Sequence, residues 1–104
     1  MFVSTIVKTF PATEKYMLVS QILKSSRSVT ANMAEGYGRF TYTDTRSFFI
    51  VSRGSISETL EHLQTALDEN YIGDDVFATG ESLCEQCYRL TNGYIAYLDK
   101  KKQA

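Results

Sequence analysis

Cys84-Glu85-Gln86-Cys87 places the two cysteines of this chain at i and i+3, a spacing that on a helix puts both thiols on one face, as a metal clip or redox couple requires. Zinc needs four first-shell groups, or three and a water. His62 is the only histidine, so the pair lacks further ligands, and two apolar cysteines at helical spacing read as core residues. No metal and no cofactor is expected, and His62 is expected at the surface beside Leu63. A second constellation is Glu35, Arg39 and Arg53. Glu35 is expected to pair with Arg53 across two helices, a geometry-fixing ion pair, which leaves Arg39 for an outside contact such as a phosphate. Gly36-Tyr37-Gly38-Arg39 imitates a phosphate cradle, yet no Gly-x-x-x-x-Gly-Lys-Ser/Thr and no preceding strand accompanies it. With no second histidine, no cysteine–histidine spacing and acidic residues scattered along the chain, the sequence is read as non-enzymatic, with no catalytic residues.

The elements that must position these residues are bounded by size. A chain of 104 residues suits one domain, 1–104, able to bury somewhat over roughly 60% of its unfolded surface. At 43% hydrophobic and 22% charged, the composition is that of a soluble globular protein. No apolar run approaches the roughly 20 residues of a membrane span. Met1-Phe2-Val3 has no basic stretch before it and Lys8 interrupts the apolar residues after it, so no signal peptide and a cytoplasmic location are expected. The net charge of −1 hides an asymmetry: residues 1–60 hold seven Lys or Arg against four Asp or Glu, a net of +3, whereas 61–104 hold four against eight, a net of −4. Such a division permits a basic patch around Lys24, Arg27, Arg39, Arg46 and Arg53, and equally permits packing between oppositely charged helices or subunits.

Apolar and small residues recur in steps of three and four through three long segments, each an amphipathic helix. The first stripe is Val19, Ile22, Ser26, Val29, Met33 and Gly36 or Tyr37; the second is Phe49, Arg53, Ile56, Leu60, Leu63 and Leu67; the third is Leu83, Cys87, Leu90, Tyr94 and Tyr97 or Leu98, flanked by Cys84, Tyr88 and Ile95. Thr41-Tyr42-Thr43-Asp44 is a variant capping box that starts the second helix near Tyr42. Asn70-Tyr71-Ile72-Gly73 ends it, Asp74 and Asp75 suit the first turn of the third, and Lys100-Lys101-Lys102 suits its negative end. Phe2, Val3, Ile6, Val7 and Phe10 have the spacing of a short additional helix at the start. The expected fold is all-α, an antiparallel up-down four-helix bundle with a shortened first helix. Gly36 is expected to permit close helix approach, Gly38 to close its helix in a left-handed cap, and Gly54, mid-helix, to face a tightly crossing neighbour.

These residues resemble the small four-helix-bundle proteins encoded in intervening sequences of bacterial 23S ribosomal RNA genes, to which the accessory protein of diversity-generating retroelements is similar. The matching pieces are Phe10-Pro11 with Glu14-Lys15-Tyr16, Ser28-Val29 through Asn32-Met33-Ala34-Glu35-Gly36-Tyr37-Gly38-Arg39, Phe48-Phe49, Ser52-Arg53-Gly54-Ser55 with Glu58, and Asn92-Gly93 before Ile95 and Leu98. They span most of the chain. The resemblance implies a ring, a homopentamer, with a basic surface that touches nucleic acid. Thr30 stands where the family commonly has a proline, so the first long helix is expected to run straighter. Phe40, Tyr42 and Thr43 stand where basic residues are expected, which weakens phosphate contact.

Two function classes remain open. One is an oligomeric bundle that binds structured RNA or DNA, or bridges it to a polymerase, through Lys24, Arg27, Arg39, Arg46 and the terminal lysines. The other is a homo-oligomeric protein-interaction scaffold with no nucleic-acid role, which the acidic pI near 5.8 and the seven tyrosines favour.

Overall fold

The structure, a computed structural model, describes residues 2–3 and 15–103. Three helices account for nearly all of them: α1 (Lys15–Tyr37), α2 (Tyr42–Asp68) and α3 (Asp74–Gln103). No strand occurs among the described residues. Of the expected short first helix only Phe2 and Val3 are described; both are helical, and Val3 is buried against Leu18, Ile22, Leu63, Ala66 and Ile72. Ile6, Val7 and Phe10 lie outside the described residues.

The boundaries arise from local chemistry. Thr41, extended at φ −111°, accepts the amide of Asp44 at 3.2 Å and caps α2, answering one of the amides that a helix start leaves without a partner. At the other end Asn70 takes the left-handed conformation, φ 61°. The amide of Tyr71 donates to Ala66 O at 2.8 Å and that of Asn70 to Leu67 O at 3.0 Å, the paired bonds of a Schellman closure. Asp74 and Asp75 occupy the first turn of α3 and Lys100, Lys101 and Lys102 its last. The helix therefore carries charge of the favourable sign at both ends. α1 runs unbroken through Thr30, whose hydroxyl donates to Arg27 O at 3.3 Å.

α2 is the middle helix and buries two adjacent stripes. Toward α1 it turns Thr45, Ser52, Ser55 and Thr59, and this contact is built of hydroxyls. Ser52 donates to Val29 O at 2.6 Å, Ser55 to Ser28 Oγ at 2.9 Å, Thr59 lies 2.8 Å from Ser25 Oγ, and Thr45 donates to Gly36 O at 3.1 Å. The α1 serines at this contact are Ser25 and Ser28, whereas Ser26, the serine of the expected stripe, bonds back to Leu23 O within its own helix. Ser25 and Ser52 are buried, small enough to let the backbones approach and satisfied by nearby oxygen atoms. Phe49, Ile56 and Leu63 of α2 are buried; Phe49 meets Gly36 and Tyr37 of α1 and Tyr94 of α3, and Leu63 packs with Leu18 and Ile22 of α1 and against Gly80 of α3.

The third stripe differs from expectation. Thr91, Ile95 and Leu98 are buried, with Gly80 above them and Cys84 half-buried, whereas Leu83, Cys87, Leu90 and Tyr97 are exposed. α3 has an apolar arc wide enough for two stripes, and α2 covers the one that includes Ile95 and Leu98. Gly80 is needed there, because a Cβ would sit 2.9 Å from Leu63 Cδ1 and 2.8 Å from Phe2 Cε1.

Candidate functional site

The corner between α1 and α2 is built around Gly36. A Cβ at this position would stand 3.1 Å from Phe48 Cβ and 3.1 Å from Phe49 Cε2, so only glycine lets α2 pass this close. Gly38 closes α1 by donating to Glu35 O at 3.1 Å, followed by Arg39 to Gly36 O at 3.2 Å. The left-handed cap expected at Gly38 does not form: no glycine among the described residues has positive φ. The close neighbour expected at Gly54 is also absent among the described residues, none of which comes within 4 Å of a Cβ there. Gly54 points outward from α2, away from both other helices.

The expected Glu35–Arg53 ion pair is replaced by two separate interactions. Glu35, on the solvent side of α1, accepts from Arg39 at 3.0 Å, one turn along its own helix. Arg53 leaves α2 on the side facing α3 and donates to Asn92 Oδ1 at 2.7 Å. The two residues sit on different sides of the α1–α2 pair and cannot meet. Arg46 likewise reaches α3, where its Nε lies 2.6 Å and its Nη2 3.4 Å from the two carboxylate oxygens of Asp99. Arg46 and Arg53 are seven residues apart on α2, and Asp99 and Asn92 seven apart in reverse on α3. That matched heptad step was the signal by which Asp99 and Asn92 were findable in the sequence.

The four basic residues expected to form one patch are divided. Lys24 and Arg27 are exposed on α1 with no carboxylate in ion-pair range among the described residues. Arg39 holds Glu35 and lies over the Phe48 ring, 4.7 Å from its centroid. Arg46 is committed to Asp99. About fifteen residues of helix separate Lys24 from Arg39, roughly 20 Å at the α-helical rise.

Around the corner the aromatic rings pack together. Phe49 lies 5.3 Å from Tyr37 and 4.6 Å from Tyr94, and Tyr94 stacks on Tyr97 at 5.8 Å. Burial raises the Tyr94 phenol above its ordinary range, helped by Tyr37 and Tyr97. Phe40 and Tyr42 beside them are exposed.

The cysteines divide between two environments. Burial, then Cys87, then Glu81 push the Cys84 thiol up to about 11, which holds it in the form that neither binds metal nor attacks. Cys87 is exposed. No group of three or more His, Cys, Asp or Glu side chains is placed to hold a metal ion among the described residues. His62 is half-buried rather than at the surface, with Nε2 3.5 Å from Glu58 Oε1.

Three antiparallel helices, joined by tight corners and by polar side chains that link helix to helix, make this an all-α protein whose distinctive residues serve packing. Residues 1–93 match the family described as 23S rRNA-intervening sequence protein, and the chain belongs to that family. Comparison with curated proteins gives no match. No described helix is long and apolar enough to cross a membrane.

Proposed function

We propose that this chain is a non-enzymatic helical-bundle protein whose activity is to assemble with copies of itself, its short first helix completing a four-helix bundle. The observation that carries the reading is the exposed apolar face of α3, where Leu83 is 43%, Tyr97 52% and Leu90 75% exposed. Single exposed leucines are ordinary, but an aligned row of large apolar residues marks an interaction site. The non-enzymatic reading rests on the use made of the reactive groups: Cys84 keeps its proton, Arg46 and Arg53 link helices, and His62 faces Glu58.

Light scattering on the reduced protein at micromolar concentration tests self-association and fixes the copy number, including the five that the family resemblance implies. A monomer refutes the proposal.

A second reading, contact with RNA or DNA, is favoured by Lys24 and Arg27, which stand exposed one turn apart without acidic partners among the described residues. Two such cations give a weak and strongly salt-dependent contact unless an assembly multiplies them. Retardation of RNA or DNA at low salt, lost in Lys24→Gln/Arg27→Gln, supports this reading, and no retardation removes it.

A further inference from the structure

We infer that the end of the bundle formed by the α1–α2 corner and the last turn of α3 is a stacking platform for single-stranded nucleic acid; this rests on the second reading above and gives that contact a site of its own. Three rings project there. Phe40 is wholly exposed, Tyr37 is 67% exposed and Tyr42 46%. A cavity of about 180 Å³ lies among them, lined by Tyr37, Phe40, Tyr42 and Tyr94 together with Gly36 and Leu98, with room for one planar base. A second cavity, of about 280 Å³, shares Tyr42 and Leu98 with the first and adds Thr43 and Lys102. Lys102 reaches Thr43 Oγ1 at 3.4 Å, so an ammonium stands beside the residue that follows Tyr42.

Charge and ring faces together select the occupant. Lys100, Lys101 and Lys102 have no carboxylate in ion-pair range among the described residues, while Glu35 and Asp99 at the same end are held by Arg39 and Arg46. Asp44, in the first turn of α2, is the acidic side chain there that no cation holds among the described residues. The end therefore attracts anions, and its rings offer flat apolar faces beside the cations. A single strand uses both, stacking bases on rings and laying phosphates on lysines. A duplex keeps its base faces covered, and an acidic peptide uses the lysines without needing the rings. The site also stands clear of residues 4–14. They join Val3, which packs against Leu18 and Ile72, to Lys15, and Lys15 is separated from Tyr37 by the length of α1, roughly 33 Å at the α-helical rise.

Fluorescence anisotropy of a labelled oligodeoxythymidine strand with the full chain at low salt tests the platform. Phe40→Leu keeps an apolar side chain and removes the ring, Phe40→Trp keeps a ring, and neither disturbs the core because position 40 is wholly exposed. The expected results are tighter binding of the strand than of its duplex with oligodeoxyadenosine, a loss of about fivefold or more in Phe40→Leu, and retention in Phe40→Trp. Replacing Lys100, Lys101 and Lys102 together by Gln is expected to lower the slope of log affinity against log salt by about 2. Binding that Lys24→Gln/Arg27→Gln abolishes and Phe40→Leu leaves unchanged overturns the platform while the nucleic-acid reading stands. Equal affinity for the duplex overturns it too, as does displacement by poly-glutamate as readily as by unlabelled strand, which would mark an acidic-peptide surface. No binding of either nucleic acid at low salt overturns both.

Discussion

Alanine placed at Gly36 and at Gly54 should move stability in opposite directions. Both residues lie in helices; Gly54 is in the interior of α2, where a glycine costs up to about 1 kcal/mol against alanine, and Gly36 is in the last turn of α1, where alanine gains less. At Gly54 no described residue lies within 4 Å of the new methyl and the gain is realised, about 0.5 to 1 kcal/mol, or roughly 2 to 8 °C in Tm for a domain of this size. At Gly36 the methyl meets Phe48 Cβ and Phe49 Cε2, each at 3.1 Å. Phe48 Cβ is fixed to the backbone of α2, and the Phe49 ring is hemmed in by Tyr37 at 5.3 Å and Tyr94 at 4.6 Å. Relief requires α1 and α2 to part by a few tenths of an ångström along the hydroxyl contact. Overpacking of that kind costs about 1 to 3 kcal/mol, which outweighs the propensity gain and leaves Gly36→Ala less stable by about 1 kcal/mol. Urea and thermal unfolding of the two variants, followed by circular dichroism at one fixed protein concentration, read the signs directly. A Gly36→Ala protein more stable than wild type, or a Gly54→Ala protein less stable, refutes the reasoning.

Further expectations concern single contacts. Asn92→Ala strands the half-buried Arg53 guanidinium and should cost about 1 to 3 kcal/mol, while Glu35→Gln, at an exposed i,i+4 pair, should stay within about 0.5 kcal/mol of wild type; denaturant unfolding of both variants checks the contrast. Asn70→Gly relieves a left-handed residue and should raise the unfolding midpoint, whereas Asn70→Ala should lower it, as thermal scans will show. A thiol reagent at pH 8 should modify Cys87 and spare Cys84 in the folded protein, as peptide mapping would reveal. Because the folded Cys84 thiol titrates at about 11 against 9.0 for an unperturbed one, its contribution to stability is full below pH 9 and falls as pH rises toward 11; a base titration of unfolding that is no shallower in Cys84→Ser contradicts this.

Much of the fold was legible because its signals are local. Thr41 before the second helix and the aspartates and lysines at the ends of the third act on the backbone beside them, so no knowledge of the partner helices was needed. Asn70 was legible as part of a stop, although the left-handed residue is Asn70 itself and not Gly73. The site was less legible because periodicity identifies faces without saying what covers them. α3 carries two apolar stripes, and only the position of α2 decides that Ile95 and Leu98 go inside while Leu90 stays out. Arg53 announced that it needed a partner, but Glu35 sits on the wrong side of α1 and the polar group in reach is Asn92. Ser25, Ser52 and Ser55 look like surface residues by type and become interior ones by bonding to oxygen atoms across the helix contact.

The links from α2 to α3 act like the marks of a ruler. Arg46 to Asp99, Arg53 to Asn92 and Lys102 to Thr43, 3.4 Å apart, fall in one antiparallel register, so sliding α3 by a single turn would break all three at once. The hydroxyl contact between α1 and α2 has no such marks, being a run of small, similar groups in which a shifted serine finds another oxygen. Insertions or deletions should therefore be absorbed unequally along this chain. Residues added within α3, between Asn92 and Asp99, would put the Arg53–Asn92 rung out of phase with the Arg46–Asp99 and Lys102–Thr43 rungs, whereas α1 depends on the single notch at Gly36 to hold its place.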